Sequence, residues 1–431
     1  MIRRSWGKLL AGLTLASGLA VPVTASAGEV YDANRAELRC QQLFAESGAG
    51  PAVQLTSGSC LSDDCCAPVG CCEATCCAPD GCCDLSCGEG CCDFGEDDGG
   101  EINFGGWVQF GYHSRVTPAG AGKNALGSFN NHPHRFNLHQ GWLYAEKIAD
   151  GSDGLDWGFR MDAMYGVDSS DTQAFGNPIG SWDNGGSFSR GAGPDGTFAA
   201  YGFAIPQLYA ELAAGDISVK VGHFYTLVGY EVVTAPDNFF YSHALTMYNS
   251  EPFTHTGAIA TYNASDDVTI YGGWTAGWDT GFDRLNGGSN FLGGFSVPLS
   301  EKTTLTYINT IGNFGWKGAG ASGYAHSIVI DTAVTDSFNY IVQSDVLRVG
   351  TIDTVGINQY AIYSLSDKLG VGTRGEWWKN EGNSQYAWTA GLNIKPAENI
   401  IIRPEIRYDW STPNGVERNT TTFGFDAIYT F

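Results

Sequence analysis

The chain has 431 residues and a formal net charge of −23, yet only 16% of its side chains are charged while 13% are aromatic and 59 residues are glycine. An acidic surface argues against nucleic acid as a partner, because neutralising a phosphate backbone takes clustered Lys and Arg. So few charges, well below the roughly 25% of ordinary soluble domains, fit a chain whose outer surface meets lipid.

The N-terminus fixes the compartment. Arg3, Arg4 and Lys8 precede a small-and-apolar stretch from Leu9 to Val21, and Ala25-Ser26-Ala27 supplies the small residues of a signal-peptidase site. Residues 1–27 are therefore expected to be a signal peptide cleaved before Gly28. No other segment offers the ~18 uninterrupted apolar residues of a membrane-spanning helix.

Residues 28–100 form an acidic extension that holds all 13 cysteines, and no Lys or Arg occurs between Arg39 and Arg115. An eleven-residue repeat runs from Cys65-Cys66-Ala67-Pro68 through Cys71-Cys72 and again from Cys76-Cys77-Ala78-Pro79 through Cys82-Cys83, with a degraded copy at Cys87 and Cys91-Cys92. The segment has too few large apolar residues to build a core of its own. Disulfides are the default for an exported chain. Adjacent cysteines pair poorly, so each doublet should reach another. An odd count leaves one thiol for a partner molecule, and envelope proteins are the expected one. Soft-metal binding by the thiolates and an unstructured spacer are the alternatives.

Residues 101–431 contain no cysteine and alternate with the period of two that strands show. Strands are expected at 102–113, 135–148, 155–167, 203–214, 216–225, 256–264, 267–277, 290–298, 301–311, 324–335, 337–347, 354–365, 367–379, 385–396, 399–410 and 420–431. Sixteen is an even number, and the even-numbered connections are short while most odd-numbered ones are long. That is the alternation of periplasmic turns and outer loops in an up-and-down barrel with both termini in the periplasm. The last strand places Phe423, Phe425, Ala427, Tyr429 and Phe431 on one face. This resembles the C-terminal signature read by the barrel assembly machinery. The expected fold is thus all-β: a transmembrane antiparallel β-barrel of about sixteen strands behind a cysteine-rich, low-complexity extension.

The long connection after the fifth strand is the most distinctive. It reads Gly222-His223-Phe224-Tyr225, Gly229-Tyr230-Glu231, Pro236-Asp237-Asn238-Phe239-Phe240-Tyr241-Ser242-His243 and Glu251-Pro252-Phe253-Thr254-His255-Thr256-Gly257. In this run the chain resembles the OmpL-like β-barrel porins, especially their planctomycete-type versions, over roughly residues 101–431. The resemblance implies a membrane barrel with a pore, a third loop folded into the lumen, and assembly as a homotrimer.

A segment so rich in aromatic residues is ill suited to free solvation. It is expected to pack inside the barrel with Glu231, Asp237, Tyr241, His243, Glu251 and His255 at a constriction; an outer cap over the rim is the alternative. Alternation aims Asp156, Arg160, Asp162, Lys220, Asp345, Arg374, Glu376, Lys395, Arg403, Glu405, Arg407 and Asp409 at the lumen, where charges filter ions. Among hydrolase signatures, neither G-x-S-x-G nor H-E-x-x-H occurs, and no catalytic residue, cofactor or metal is expected. The reading is an outer-membrane channel for passive diffusion of small hydrophilic solutes. A structural anchor cross-linked to the envelope through the cysteine tract is the alternative.

Overall fold

The computed structural model describes residues 102–115, 129–174, 176, 181–183, 201–284, 286–412 and 417–431. The expected signal peptide and the cysteine-rich extension lie outside the described residues.

Alternating segments become strands because lipid outside and side chains inside leave only one placement for each face. In chain order they are β1 (Asn103–His113), β2 (Phe136–Lys147), β3 (Leu155–Gly166), β4 (Gly202–Ala204), β5 (Leu208–Ala214), β6 (Ile217–Tyr225), β7 (Thr254–Ser265), β8 (Val268–Thr275), β9 (Ser289–Ser300), β10 (Thr303–Asn313), β11 (Ser322–Thr335), β12 (Phe338–Val349), β13 (Ile352–Ser366), β14 (Leu369–Asn380), β15 (Asn383–Ala397), β16 (Ile400–Ser411) and β17 (Arg418–Thr430). β4 and β5 both pair with β3, so they are two pieces of one stave broken at Ile205-Pro206-Gln207. Pro206 has no N–H to give the ladder, which accounts for the break in the fourth expected strand.

Every neighbouring pair is antiparallel, and β1 closes on β17 with Trp107 opposite Thr430 and Tyr112 opposite Phe425. The result is a closed barrel of sixteen staves with no free edge. Short turns such as Gly215-Asp216 and Asp336-Ser337 gather at one end. Two connections at the other end, Gly350-Thr351 and Glu381-Gly382, are just as tight. Among the described residues no helix is long and apolar enough to cross a membrane.

The two faces sort as the alternation requires. On β3, Leu155, Trp157 and Met161 point outward and are exposed, while Arg160, Asp162 and Met164 on the other face are buried. β16 and β17 repeat the pattern with Ile406, Tyr408, Phe423 and Tyr429 outside. The largest buried apolar cluster among the described residues is not made by the wall strands alone. It forms where the segment between β6 and β7 enters the lumen: Val233, Ala235, Met247 and Phe253 from that segment pack with Trp107, Trp142, Met164, Ile401 and Ile428 of the wall.

Candidate functional site

Residues 226–253 carry a 3-10 turn, Ala235–Asp237, and one short helix, α1, Leu245–Ser250. A polypeptide segment inside a barrel must satisfy its own backbone groups against the wall. Three arginines on the inner face do much of this. Arg403 donates through Nη1 to the carbonyls of Ala235 and Asn238, both at 2.7 Å, and through Nε to Asp426 at 3.0 Å. Arg374 donates to Glu231 at 2.6 Å and to the Ser242 carbonyl at 2.7 Å, and its Nε donates to Glu376 at 2.6 Å. Arg407 donates to the His243 carbonyl at 2.9 Å, to Glu376 at 3.0 Å, and to both oxygens of Asp409.

Carboxylates take the loop's N–H groups. Glu405 accepts from Tyr241 at 3.0 Å and Ser242 at 3.1 Å, Glu231 accepts from Ala244 at 2.6 Å, and Glu376 accepts from Leu245, the first residue of α1, at 2.7 Å. Gln140 adds a neutral clamp, donating to the Val233 carbonyl at 2.9 Å and accepting from the Ala235 N–H at 3.1 Å. All three arginines are almost fully buried, so these bonds form at low dielectric and are charge-assisted.

Glycines on the same wall make room for the loop's rings. A Cβ at Gly370 would stand 2.9 Å from the Phe239 ring, and one at Gly424 would stand 2.9 Å from Tyr241. The far limb of the loop is held from two sides. Gln343 donates to both Glu251 and Asp345 at 2.8 Å. From the outer connection after β8, Asp279 accepts the Phe253 N–H at 2.7 Å.

Pressed against β12–β17, the loop leaves the opposite side of the lumen open. A narrow space lies between the loop residues Val228, Glu231, Val232, Asp237, Glu251 and Phe253 and the wall residues Arg160, Lys220, Ile259, Thr261, Thr306 and Val329. A second, wider space lies at the short-turn end, bordered by Glu146, Lys147, Asp216 and Asn263. Lys220 and Thr261 border both spaces.

The residues proposed from sequence divide accordingly. Glu231, Asp237 and Glu251 face the open chamber. Tyr241, His243 and His255 do not border it. Tyr241 bonds through its hydroxyl to His139 at 2.7 Å, His243 packs on Phe129, and His255 contacts Thr226 at 3.1 Å. Of the wall charges, Arg160 and Lys220 border the chamber.

Arg374, Glu376, Arg403, Glu405, Arg407 and Asp409 point inward as alternation requires, but they lie buried beneath the loop, within 6% exposure each. They form a socket rather than an ionic ring lining open space. Asp162 is buried beside Arg160 at 2.7 Å, and Asp345 is buried beside Gln343. Asp156 pairs with Lys147 at 2.8 Å near the short-turn end, and Lys395 lies near the end of β15.

Sequence reading missed Asp426 and Gln140. Asp426 was within reach, since it alternates with Phe425 and Ala427 on the last strand and must point inward. Gln140 was not, because β2 slips register opposite Gln109/Phe110 and breaks the simple alternation there.

A family model described as "Putative beta-barrel porin-2, OmpL-like" matches residues 101–431. No curated protein matches the sequence. Among solved structures the barrel is similar to the outer membrane channel DcaP of Acinetobacter baumannii, at 10% identity and TM-score 0.53, covering 78% of this chain and 98% of that one. It is also similar to OprB of Pseudomonas putida, at 11% identity and TM-score 0.53, covering 77% and 94%. At such identities these two likenesses speak for the fold. The family match covers the whole barrel, and the chain belongs to the OmpL-like family of outer-membrane β-barrel porins.

Proposed function

We propose that the barrel is a passive channel for small hydrophilic solutes, open along β5–β11 and narrowed by the loop docked against β12–β17. The observation that carries this is that Lys220 and Thr261 border both lumen spaces. A solute would pass between a loop face bearing Glu231, Asp237 and Glu251 and a wall bearing Arg160 and Lys220. Selection would come from cross-section and from these charges. No covalent step is involved, and no cofactor. The barrel is one subunit of a homotrimer, inserted by the barrel assembly machinery, and the cysteine-rich extension tethers it to envelope proteins.

Thr261→Trp tests the route, because an indole at a residue bordering both spaces narrows it. In planar bilayers the refolded variant should show smaller single-channel steps than the unsubstituted protein. Equal steps from both proteins would remove this position from the conduction path. Silence from both, with a folded barrel by circular dichroism, would turn the reading to a structural anchor.

A further inference from the structure

A strand residue flanked on both sides by buried lumen residues must point to the outside of the barrel. Four polar residues meet that condition on neighbouring strands. Asn309 on β10 lies between Ile308 and Thr310, and His326 on β11 between Ala325 and Ser327. Ser344 on β12 lies between Gln343 and Asp345, and Gln359 on β13 between Asn358 and Tyr360. None is near the end of its strand; Gln359 sits midway along β13. On β1–β9 and β15–β17, outward positions away from the strand ends hold apolar side chains, glycine, alanine or proline among the described residues, apart from His223 on β6, Thr256 on β7 and Thr421 on β17.

At this depth hydrocarbon offers no hydrogen-bond partner, so polar groups facing it are costly. The chain satisfies them only in part. Asn309 Nδ2 donates to the Tyr307 hydroxyl at 3.1 Å, which lies 2.9 Å from the Tyr324 hydroxyl, itself 2.8 Å from His326 Nδ1. The Tyr340 hydroxyl donates to Gln359 Oε1 at 2.6 Å. Asn309 Oδ1 is buried and has no partner among the described residues.

We propose that the outward face of β10–β14 is the surface on which a second copy of this chain docks. The inference rests on the homo-oligomeric reading above and adds the face that forms the contact. Five strands about 4.8 Å apart across an apolar band about 25 Å tall present roughly 600 Å² of curved outer wall. That approaches the ~800 Å² per partner of a standard interface. β14 adds a flat patch, since a Cβ at Gly375 would meet nothing within 4 Å. The face carries donors and acceptors together, with the exposed Arg348–Asp353 pair, 3.2 Å apart, at its outer margin. Its β10–β11 and β13–β14 halves can therefore meet the opposite halves of neighbouring copies around a three-fold axis, the heterologous contact that a cyclic trimer requires.

The test uses the full mature chain, extracted in mild detergent and examined by native mass spectrometry. A photoreactive benzoylphenylalanine would stand at Ser344, and in a control at Ala163 on the outward face of β3. The expected result is an oligomer, with self-cross-linked subunits on irradiation from position 344 and none from position 163. Replacing Asn309, His326, Ser344 and Gln359 together by Leu should release monomers that keep the heat-modifiable mobility of a folded barrel.

An oligomer that cross-links from 163 and not from 344 would overturn the assignment of this face while leaving the oligomer standing. So would one that survives the fourfold substitution. A monomeric wild-type protein would overturn both readings. Cross-links from 344 to a different protein would overturn the second copy as occupant.

Discussion

Replacing Arg374 by Met removes one guanidinium from the socket and keeps most of its volume. The structure says which charge is stranded. Glu376 keeps Arg407 as a partner at 3.0 Å, whereas Arg374 is the one ion-pair partner of Glu231 among the described residues. One buried carboxylate without its cation, together with the bonds lost to Ser242, puts the cost near the low end of the 3–5 kcal/mol for breaking a buried pair, about 3 kcal/mol. At 1.4 kcal/mol per decade the ratio of docked to undocked loop should fall roughly a hundredfold.

The barrel ladder does not depend on this contact, so the change should be local. Amide hydrogen exchange across residues 231–245 should accelerate by about that factor while exchange in β10–β13 stays slow, and single-channel current should become noisier. Adding Glu231→Gln removes the stranded charge and should recover part of the protection. If Arg374→Met leaves exchange in the loop unchanged, the guanidinium does not hold the loop and the socket reading is refuted.

Lys220 borders both lumen spaces, so Lys220→Glu should move the reversal potential in a salt gradient towards cation preference; an unmoved potential would place ion flow elsewhere. Burial pushes the Asp279 carboxyl up from the ordinary 3.8 to about 7, outweighing the pull of Lys317 and of the Phe253 and Thr254 N–H groups. A raised value means that its contribution to docking is full below 3.8 and is lost as pH rises to about 7. Protection of the Phe253 and Thr254 amides, corrected for intrinsic rates, should decline over that window, and Asp279→Asn should flatten the dependence. Non-reducing gels of cell envelopes should show the chain in cross-linked species that collapse on reduction and are absent when residues 28–100 are removed. Persistence of those species without the extension would count against its role as a tether.

Much of the architecture is legible in the residues alone. Period-two alternation fixes which side chains meet lipid, and a one-residue slip would turn every apolar side chain inward, so strands such as 155–166 and 400–411 could be placed with little else known. The inward aim of Arg374, Arg403 and Arg407 follows from the same rule. What they meet there does not. Arg374 is 143 residues from Glu231, and Arg403 is 168 from the Ala235 carbonyl, so their contacts depend on the barrel closing and the loop turning inward.

Alternation treats an inward charge facing water and an inward charge facing a docked loop as the same thing. Only the tertiary structure separated Lys220, which borders both chambers, from Arg403 beneath the loop. Strand period is a property of the local backbone, whereas burial of a wall charge is decided by whichever distant segment fills the space beside it.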